Sequence, residues 1–325
     1  ALGVPNLRDF VIQSDGKIVA VGQFSSVEGI SMPCNNICRL NADGSIDTTF
    51  NVGGSGALFG NGNSNINTVE LLANGKILIL GNFGGYNNVP RNNIAVLNQD
   101  GTLDTTLNPG SGFVYESGNS SSLKFLGLQS NGKFYLSGGF STYNGTTVNR
   151  LIRVNPDGSL DTTFSTGTGF QYSYAGPISG GLFYDEGEIY AMIIQPDGKL
   201  VVGGKFESYN GSYHRNIMRL NADGAIDASF HDTMGTCNDR PVVYETQRWG
   251  EVTKMVQYPD GKIIIGGGFN WYNYALTGNL TRISANGDLD LTFNPGTGFN
   301  NTVTSTAVLP DGTIMVAGNF SRSLG

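Results

Sequence analysis

Charge is scarce in this chain: 14% of its 325 residues are Asp, Glu, Lys or Arg, against about 25% in an ordinary soluble domain. Its 19 basic residues form no cluster and are outnumbered by 26 acids, leaving a net charge of −7. Binding phosphates needs a basic stripe, so nucleic acid is excluded as a main partner. No apolar run approaches the ~18 residues that a membrane-spanning helix requires, so membrane insertion is not expected. Ala1 is followed by neither a basic segment nor an apolar one of the signal-peptide kind, and the expectation is a mature chain or one excised from something longer. Cysteine is rare as well. Cys34 and Cys38 stand alone as a CxxxC pair and Cys237 is distant, which reads as ordinary thiols rather than a zinc site. The two histidines, His214 and His231, are far apart with no partner at ligand spacing, and are expected in solvated loops. No window keeps a helical period over ten residues. Nucleophile-elbow, Walker and dinucleotide motifs are missing, so no cofactor is expected.

Glycine and aromatics are plentiful by contrast: 48 Gly, 18 Phe and 14 Tyr within a 39% apolar composition. Such a chain can bury a core, and its class is folded, loop-rich and all-β.

Self-similarity organises the sequence. A turn ending in Asp-Gly or Asn-Gly occurs at Gly16, Gly75, Gly132, Gly198, Gly261 and Gly312. Each is followed by an apolar run closing on Gly-x-Phe, at Phe24, Phe83, Phe140, Phe206, Phe269 and Phe320. A second turn follows 26 to 28 residues later, at Gly44, Gly101, Gly158, Gly224 and Gly287, inside stretches such as RLNADGSIDTTF and RVNPDGSLDTTF. The first half thus has six copies and the second five.

The turn residues have a mechanism. In Asn155-Pro156-Asp157-Gly158, Pro presets φ for a type I turn, Asp suits the next position and Gly takes the left-handed one, the pattern of a bulged hairpin. Flanking runs such as KIVAVGQF and KLVVGGKF are short, β-branched and Gly-interrupted, as packed strands are. Each unit of 51 to 66 residues then reads as two hairpins, a four-stranded antiparallel meander. Repeated around a ring, such units are propeller blades. Gly on the second strand is expected where strands near a central channel crowd together. The predicted fold is an all-β β-propeller of about six four-stranded blades, the last incomplete. It forms one domain over 1–325, with repeats at 1–55, 56–112, 113–178, 179–241, 242–299 and a partial one at 300–325. The equivalent Phe residues are expected to be buried between blades.

These paired signatures resemble the delta-60 repeat, a β-propeller family of unknown function found in bacterial surface proteins and phage virion proteins. The resemblance covers nearly the whole chain. It implies a fold and a setting, and supplies no catalytic residues.

Meander geometry puts both tight turns of a unit at one end and the longer connections at the other. From second Gly to next first Gly the distances are 31, 31, 40, 37 and 25 residues, so repeats three and four carry insertions. Binding commonly resides in such segments. The first, Ser165 to Ile189, holds Phe170, Tyr172, Tyr174, Phe183, Tyr184, Asp185, Glu186 and Glu188; the second, His231 to Glu251, holds Asp239, Arg240, Tyr244, Glu245, Arg248 and Trp249. Trp271 stands in a within-repeat connection. Candidate ligand-binding residues are Tyr172, Tyr174, Tyr184, Asp185, Arg240, Tyr244, Arg248, Trp249 and Trp271. Aromatic rings beside acids suit stacking on sugars and suit protein contacts equally, or simply anchor long loops. The Tyr-Asn pairs at Asn87, Asn144, Asn210 and Asn273 recur, which points to a structural turn.

Asp185, Glu186, Glu188, Glu245 and Glu251 could in principle pair as glycosidase carboxylates, but no spacing selects two of them, and the expectation is a chain that is not an enzyme. The recurring Asn-x-Asp-Gly-x-x-Asp stretches lack the order and terminal Glu of an EF-hand loop. Asp47, Asp104, Asp161, Asp227 and Asp290 precede small residues, so local hydrogen bonds to backbone explain them, and no metal is expected.

These readings lead to a non-enzymatic binding or structural module of a bacteriophage virion, a tail or fibre component whose partners are proteins and a host-surface glycan. The alternative is a bacterial cell-surface adhesin; an extracellular glycan hydrolase is third. The location is accordingly a virion surface or the cell exterior. Neither end of the sequence supplies the second half of the sixth unit, so further chain or a neighbouring subunit is expected to cover its edge.

Overall fold

The computed structural model describes residues 6–27, 30–31, 35–58, 64–115, 123–175, 182–237 and 250–322. They are all strand, turn and loop, and none of them forms a helix that could cross a membrane. The chain divides into two compact units, residues 1–148 with 152–162 and residues 149–151 with 163–325.

Each repeat forms one propeller blade. The first comprises Leu7–Ile12, Ile18–Gly22 and Ile37–Leu40, and the second Asn65–Leu71, Ile77–Asn82 and Ile94–Leu97, all antiparallel with the middle segment in the centre. The third, fourth and fifth repeat the pattern around Phe134–Ser137, Leu200–Lys205 and Ile263–Gly267. Of the sixth, the described residues form two paired strands, Val303–Val308 and Ile314–Gly318. The outer, fourth strand is reduced to a single bridge in every complete blade, as between Leu40 and Ile46 or Leu220 and Ile226. The cause lies one residue on, where the aspartate turns its carboxylate to the residue two positions further: Asp47 Oδ1 accepts both the amide (2.9 Å) and the hydroxyl (2.6 Å) of Thr49, ending the ladder.

Glycine behaves at two kinds of position as geometry demands. Gly158 has φ +89°, and a Cβ there would also meet the Asn108 backbone at 2.9 Å. Gly204 on the second strand of the fourth blade faces a different constraint: a Cβ would lie 2.0 Å from the Glu188 carbonyl oxygen. The first strand carries a bulge there, between Ile189 and Ala191, which pushes its backbone against the second strand. Crowding between blades, the expected reason, applies to the neighbouring Gly203, where a Cβ would meet Val252 at 2.7 Å.

The cores lie between blades. In the first unit Val19 and Val21 pack with Val69, Ile77 and Ile79, and Leu78 and Leu80 with Phe134 and Leu136. In the second unit Val201 packs with Val252, Ile263 and Ile265. Of the six equivalent phenylalanines, Phe24, Phe83, Phe140, Phe206 and Phe269 are buried. Phe320 is half-buried, its ring tilted against that of Phe299 at 4.4 Å.

Between the regular blades sit small sheets made from the connections. Ala57–Leu58, Gly85–Tyr86 and Val89–Pro90 form one, and Thr236–Cys237, Trp271–Tyr272 and Ala275–Leu276 another. The recurrent Tyr-Asn pair organises them. Asn87, Asn144, Asn210 and Asn273 have positive φ, and each side-chain Oδ1 accepts a backbone N–H from the incoming connection, as from Gly56 (2.9 Å) or Gly235 (3.1 Å). The preceding tyrosines are fully buried and donate to the second tight turn of their own blade, Tyr86 to Gly101 O at 2.7 Å and Tyr209 to Gly224 O at 2.6 Å. The within-repeat connection therefore reaches back to the tight turns rather than staying at the opposite end. Replacing Tyr209 by Phe should cost about 1 kcal/mol in urea unfolding; no loss would mean that the Gly224 carbonyl finds another donor at once.

Candidate functional site

The insertion of the third repeat is a hairpin, not a loop. Phe170–Ala175 pairs with Leu182–Glu186, setting Tyr172 opposite Asp185, Ser173 opposite Tyr184 and Tyr174 opposite Phe183. It joins the small sheet of the fourth blade, through Phe170 to Tyr209, and makes it the one four-stranded sheet among the described residues. The backbone thus brings Tyr172, Tyr174, Tyr184 and Asp185 onto one hairpin. Arg240, Tyr244, Arg248 and Trp249, with Asp239 and Glu245, lie outside the described residues. Trp271 belongs to the small sheet of the fifth blade, half-buried and paired through its backbone with Cys237.

Tyr172 is more buried than a loop residue would be, at 9% exposure. Lys205 Nζ sits 4.7 Å over its ring centroid, a cation-π contact. The two side chains line a cavity of about 140 Å3 with Asn216, Glu251 and Thr302, floored by Gly250 and Gly268. Burial raises the Tyr172 phenol above its ordinary pKa; Glu207 and Glu251 add to the shift and Arg215 opposes it. Tyr190 is raised too, by burial and by its hydrogen bond and charge interaction with Glu188. Both phenols remain protonated donors at neutral pH. Arg215 completes the surroundings: its Cζ lies 5.1 Å from the Tyr213 ring centroid, while Nε and Nη1 are buried with no hydrogen-bond partner among the described residues.

Sequence reasoning selected Tyr172 and missed Lys205, Arg215 and the role of Glu251. A signal for Lys205 was present. In the six Gly-x-Phe stretches the middle residue is Gln23, Asn82, Gly139, Lys205, Gly268 or Asn319, and only the fourth is charged.

The repeated aspartates are also more than local caps. Asp227 Oδ2 accepts from Lys199 Nζ (2.9 Å) and Arg219 Nε (2.6 Å), while Oδ1 accepts from Ser229. The same pairing of Lys and Arg on one Asp occurs at Asp47, Asp161 and Asp290. No group of three His, Cys, Asp or Glu side chains among the described residues is arranged to hold a metal ion. His214 is not in a solvated loop: its Nδ1 lies 2.6 Å from Asp232 Oδ2 and the pair is largely buried, whereas His231, beside Asp288, is exposed. Cys38 and Cys237 are buried, and Cys34 lies outside the described residues.

The five complete copies of the two-turn unit coincide with five matches to the family described as "Domain of unknown function (DUF5122) beta-propeller", at residues 13–50, 72–107, 129–164, 195–230 and 259–293, more than half of the chain. The chain belongs to the DUF5122 beta-propeller family. No curated protein sequence matches it. Among solved structures, this DUF5122 chain is similar to PorZ, a bacterial surface component of the type-IX secretion system of Porphyromonas gingivalis, at 14% identity and TM-score 0.47, covering 95% of this chain and 38% of that one. It is also similar to the extracellular domain of a putative one component system from B. thetaiotaomicron, at 15% identity and TM-score 0.46, over 97% of this chain and 31% of the other. A third is virginiamycin B lyase from Staphylococcus aureus, at 12% identity and TM-score 0.44, covering 99% and 90%. The chain thus spans about a third of the length of the first two.

Proposed function

We propose that this DUF5122 chain is a non-enzymatic binding propeller carried on the outside of a bacteriophage virion, as part of a tail or fibre, and that it holds a host-surface glycan beneath the Phe170–Glu186 insertion. The observation that carries the binding reading is the gathering of the Tyr172 ring, Lys205, Asn216 and Glu251 at one small cavity. An aromatic wall with both donors and acceptors matches a sugar, which offers an apolar face and a fringe of hydroxyls. The virion setting rests on the resemblance of the repeats to those of phage virion and bacterial surface proteins.

The test is an array of bacterial surface glycans probed with the chain, its Tyr172→Ala variant and its Lys205→Ala variant. A saturable glycan ligand is expected, with each substitution weakening it at least tenfold, about 1.4 kcal/mol, and with no sugar released on prolonged incubation. Unchanged binding in both variants would place the ligand elsewhere. Glycan release that Glu251→Gln abolishes would make the chain a hydrolase.

A further inference from the structure

The second repeat breaks a rule that the other four complete repeats keep. At three equivalent positions the first, third and fourth carry Gln, Arg and Phe, as in Gln13, Arg39 and Phe50, and the fifth carries Tyr258, Arg282 and Phe293. The second carries Leu72, Val96 and Leu107. All three change together, so the change concerns one place in the fold.

The intact trio shows what that place holds. In the first blade Arg39 Nε donates to Asp47 Oδ2 at 2.8 Å and its Nη1 donates to the carbonyl of Gln99, on the tight turn of the next blade, at 2.6 Å. Its Cζ lies 4.9 Å from the Phe50 ring centroid, and Gln13 Oε1 accepts a further bond at 3.3 Å. The fourth blade repeats this arrangement, Arg219 bonding to Asp227, to Ala285 O at 2.7 Å and to Gln195, with Phe230 beneath it. One guanidinium on one ring thus fills the space between consecutive tight turns.

In the second blade that space is a cavity of about 270 Å3. Its walls are apolar, formed by Leu72, Val96, Leu107, Leu128, Phe134 and Pro156, and its polar end holds Lys76, Asp104 and Thr106. Exposed Ala73, Asn74 and Ser130 on the lining open it to solvent. Asp104 keeps Lys76 and Thr106 as donors but lacks the arginine donor that Asp47, Asp161, Asp227 and Asp290 each have. Pro156 occupies the position of Gln99 and Ala285, whose carbonyls receive the arginine in the other blades.

We propose that this cavity is a binding site for a guanidinium group carried on an aromatic or branched apolar body, which enters from outside and takes the place of the Arg-Phe pair that the second repeat lacks. The charge balance is already realised elsewhere in the molecule, because Lys and Arg share a single Asp in four blades. The guanidinium's planar donors suit the Asp104 carboxylate on one side and a turn carbonyl on the other. Leucines in place of Gln and Phe leave room for the ligand's own ring and supply an apolar wall for it.

Two probes separate the sources of such a group: 4-methylphenylguanidine for a free small molecule and acetyl-Arg-Phe-amide for a peptide. Calorimetric titration of the chain should show saturable binding of at least one, with the neutral 4-methylphenylurea at least tenfold weaker. Asp104→Asn should abolish the preference for the charged probe. The double substitution Val96→Arg with Leu107→Phe should rebuild the pair, raise the unfolding temperature and eliminate binding. If that variant does not fold, Val96→Arg alone is read for loss of binding. No binding of either probe, equal binding of the urea, or binding undiminished in the folded filled variant would each overturn the proposal.

Discussion

Asp227→Ala should remove about 3–5 kcal/mol of stability, the usual cost of leaving a buried ion-pair partner alone. Arg219 and Asp227 are 4% and 8% exposed at their side chains, and without the carboxylate the guanidinium would remain between two tight turns with only carbonyl, amide and hydroxyl acceptors. Lys199, 30% exposed, can turn to water, so Lys199→Ala should cost far less. Urea unfolding of the two variants measures the contrast, and equal losses would show that the arginine does not depend on this aspartate. The same pairs set the acid limit of the fold. Burial alone would raise the Asp227 carboxyl, but hydrogen bonds from Lys199, Ser229 and Arg219 together hold it well below the carboxylate range; Asp47 behaves likewise. A carboxyl depressed in the folded state stabilises fully above its unfolded pKa, about 3.9. That contribution declines as pH falls from there through the folded value. Stability should therefore be flat in this respect near neutrality and fall progressively below about pH 4. In Asp227→Ala the acid slope should be shallower.

Phe269→Ala should cost about 3–5 kcal/mol, because the ring is fully buried between sheets and its removal leaves a cavity in rigid surroundings. The equivalent Phe320→Ala should cost less, about 1–2 kcal/mol, since that ring is only partly buried beside Phe299. The comparison uses one residue type at one repeat position, so the difference isolates what flanking strands contribute. Similar costs at both sites would show that burial does not set the cost at this repeat position.

The elements legible beforehand share a property. Asp157-Gly158, Tyr143-Asn144 and Gly138-Gly139-Phe140 each act over a few residues: a turn needs left-handed φ at one glycine, an Asn at positive φ offers its amide to a passing loop, and a Phe closes a strand. Local steric preference suffices to write them into sequence, and their recurrence six, five or four times separates them from chance. The candidate site was legible only in part. Tyr172 stood out as an aromatic in an insertion, but its partners Lys205, Arg215 and Glu251 come from separate stretches, and proximity among them exists only after the blades have stacked.

By itself, then, the sequence determined the repeat, the turn types, the all-β class and the phenylalanines of the cores, because each depends on backbone conformation or on burial at a recurring position. Tertiary structure alone decided two other things. It turned the Ser165–Ile189 insertion into a hairpin added to an existing sheet. And it converted the missing Gln-Arg-Phe trio of the second repeat into an open cavity. These depend on groups some 30 or more residues apart meeting at short range, and the energy of such a meeting is set by the neighbours each finds there, not by its own place in the chain.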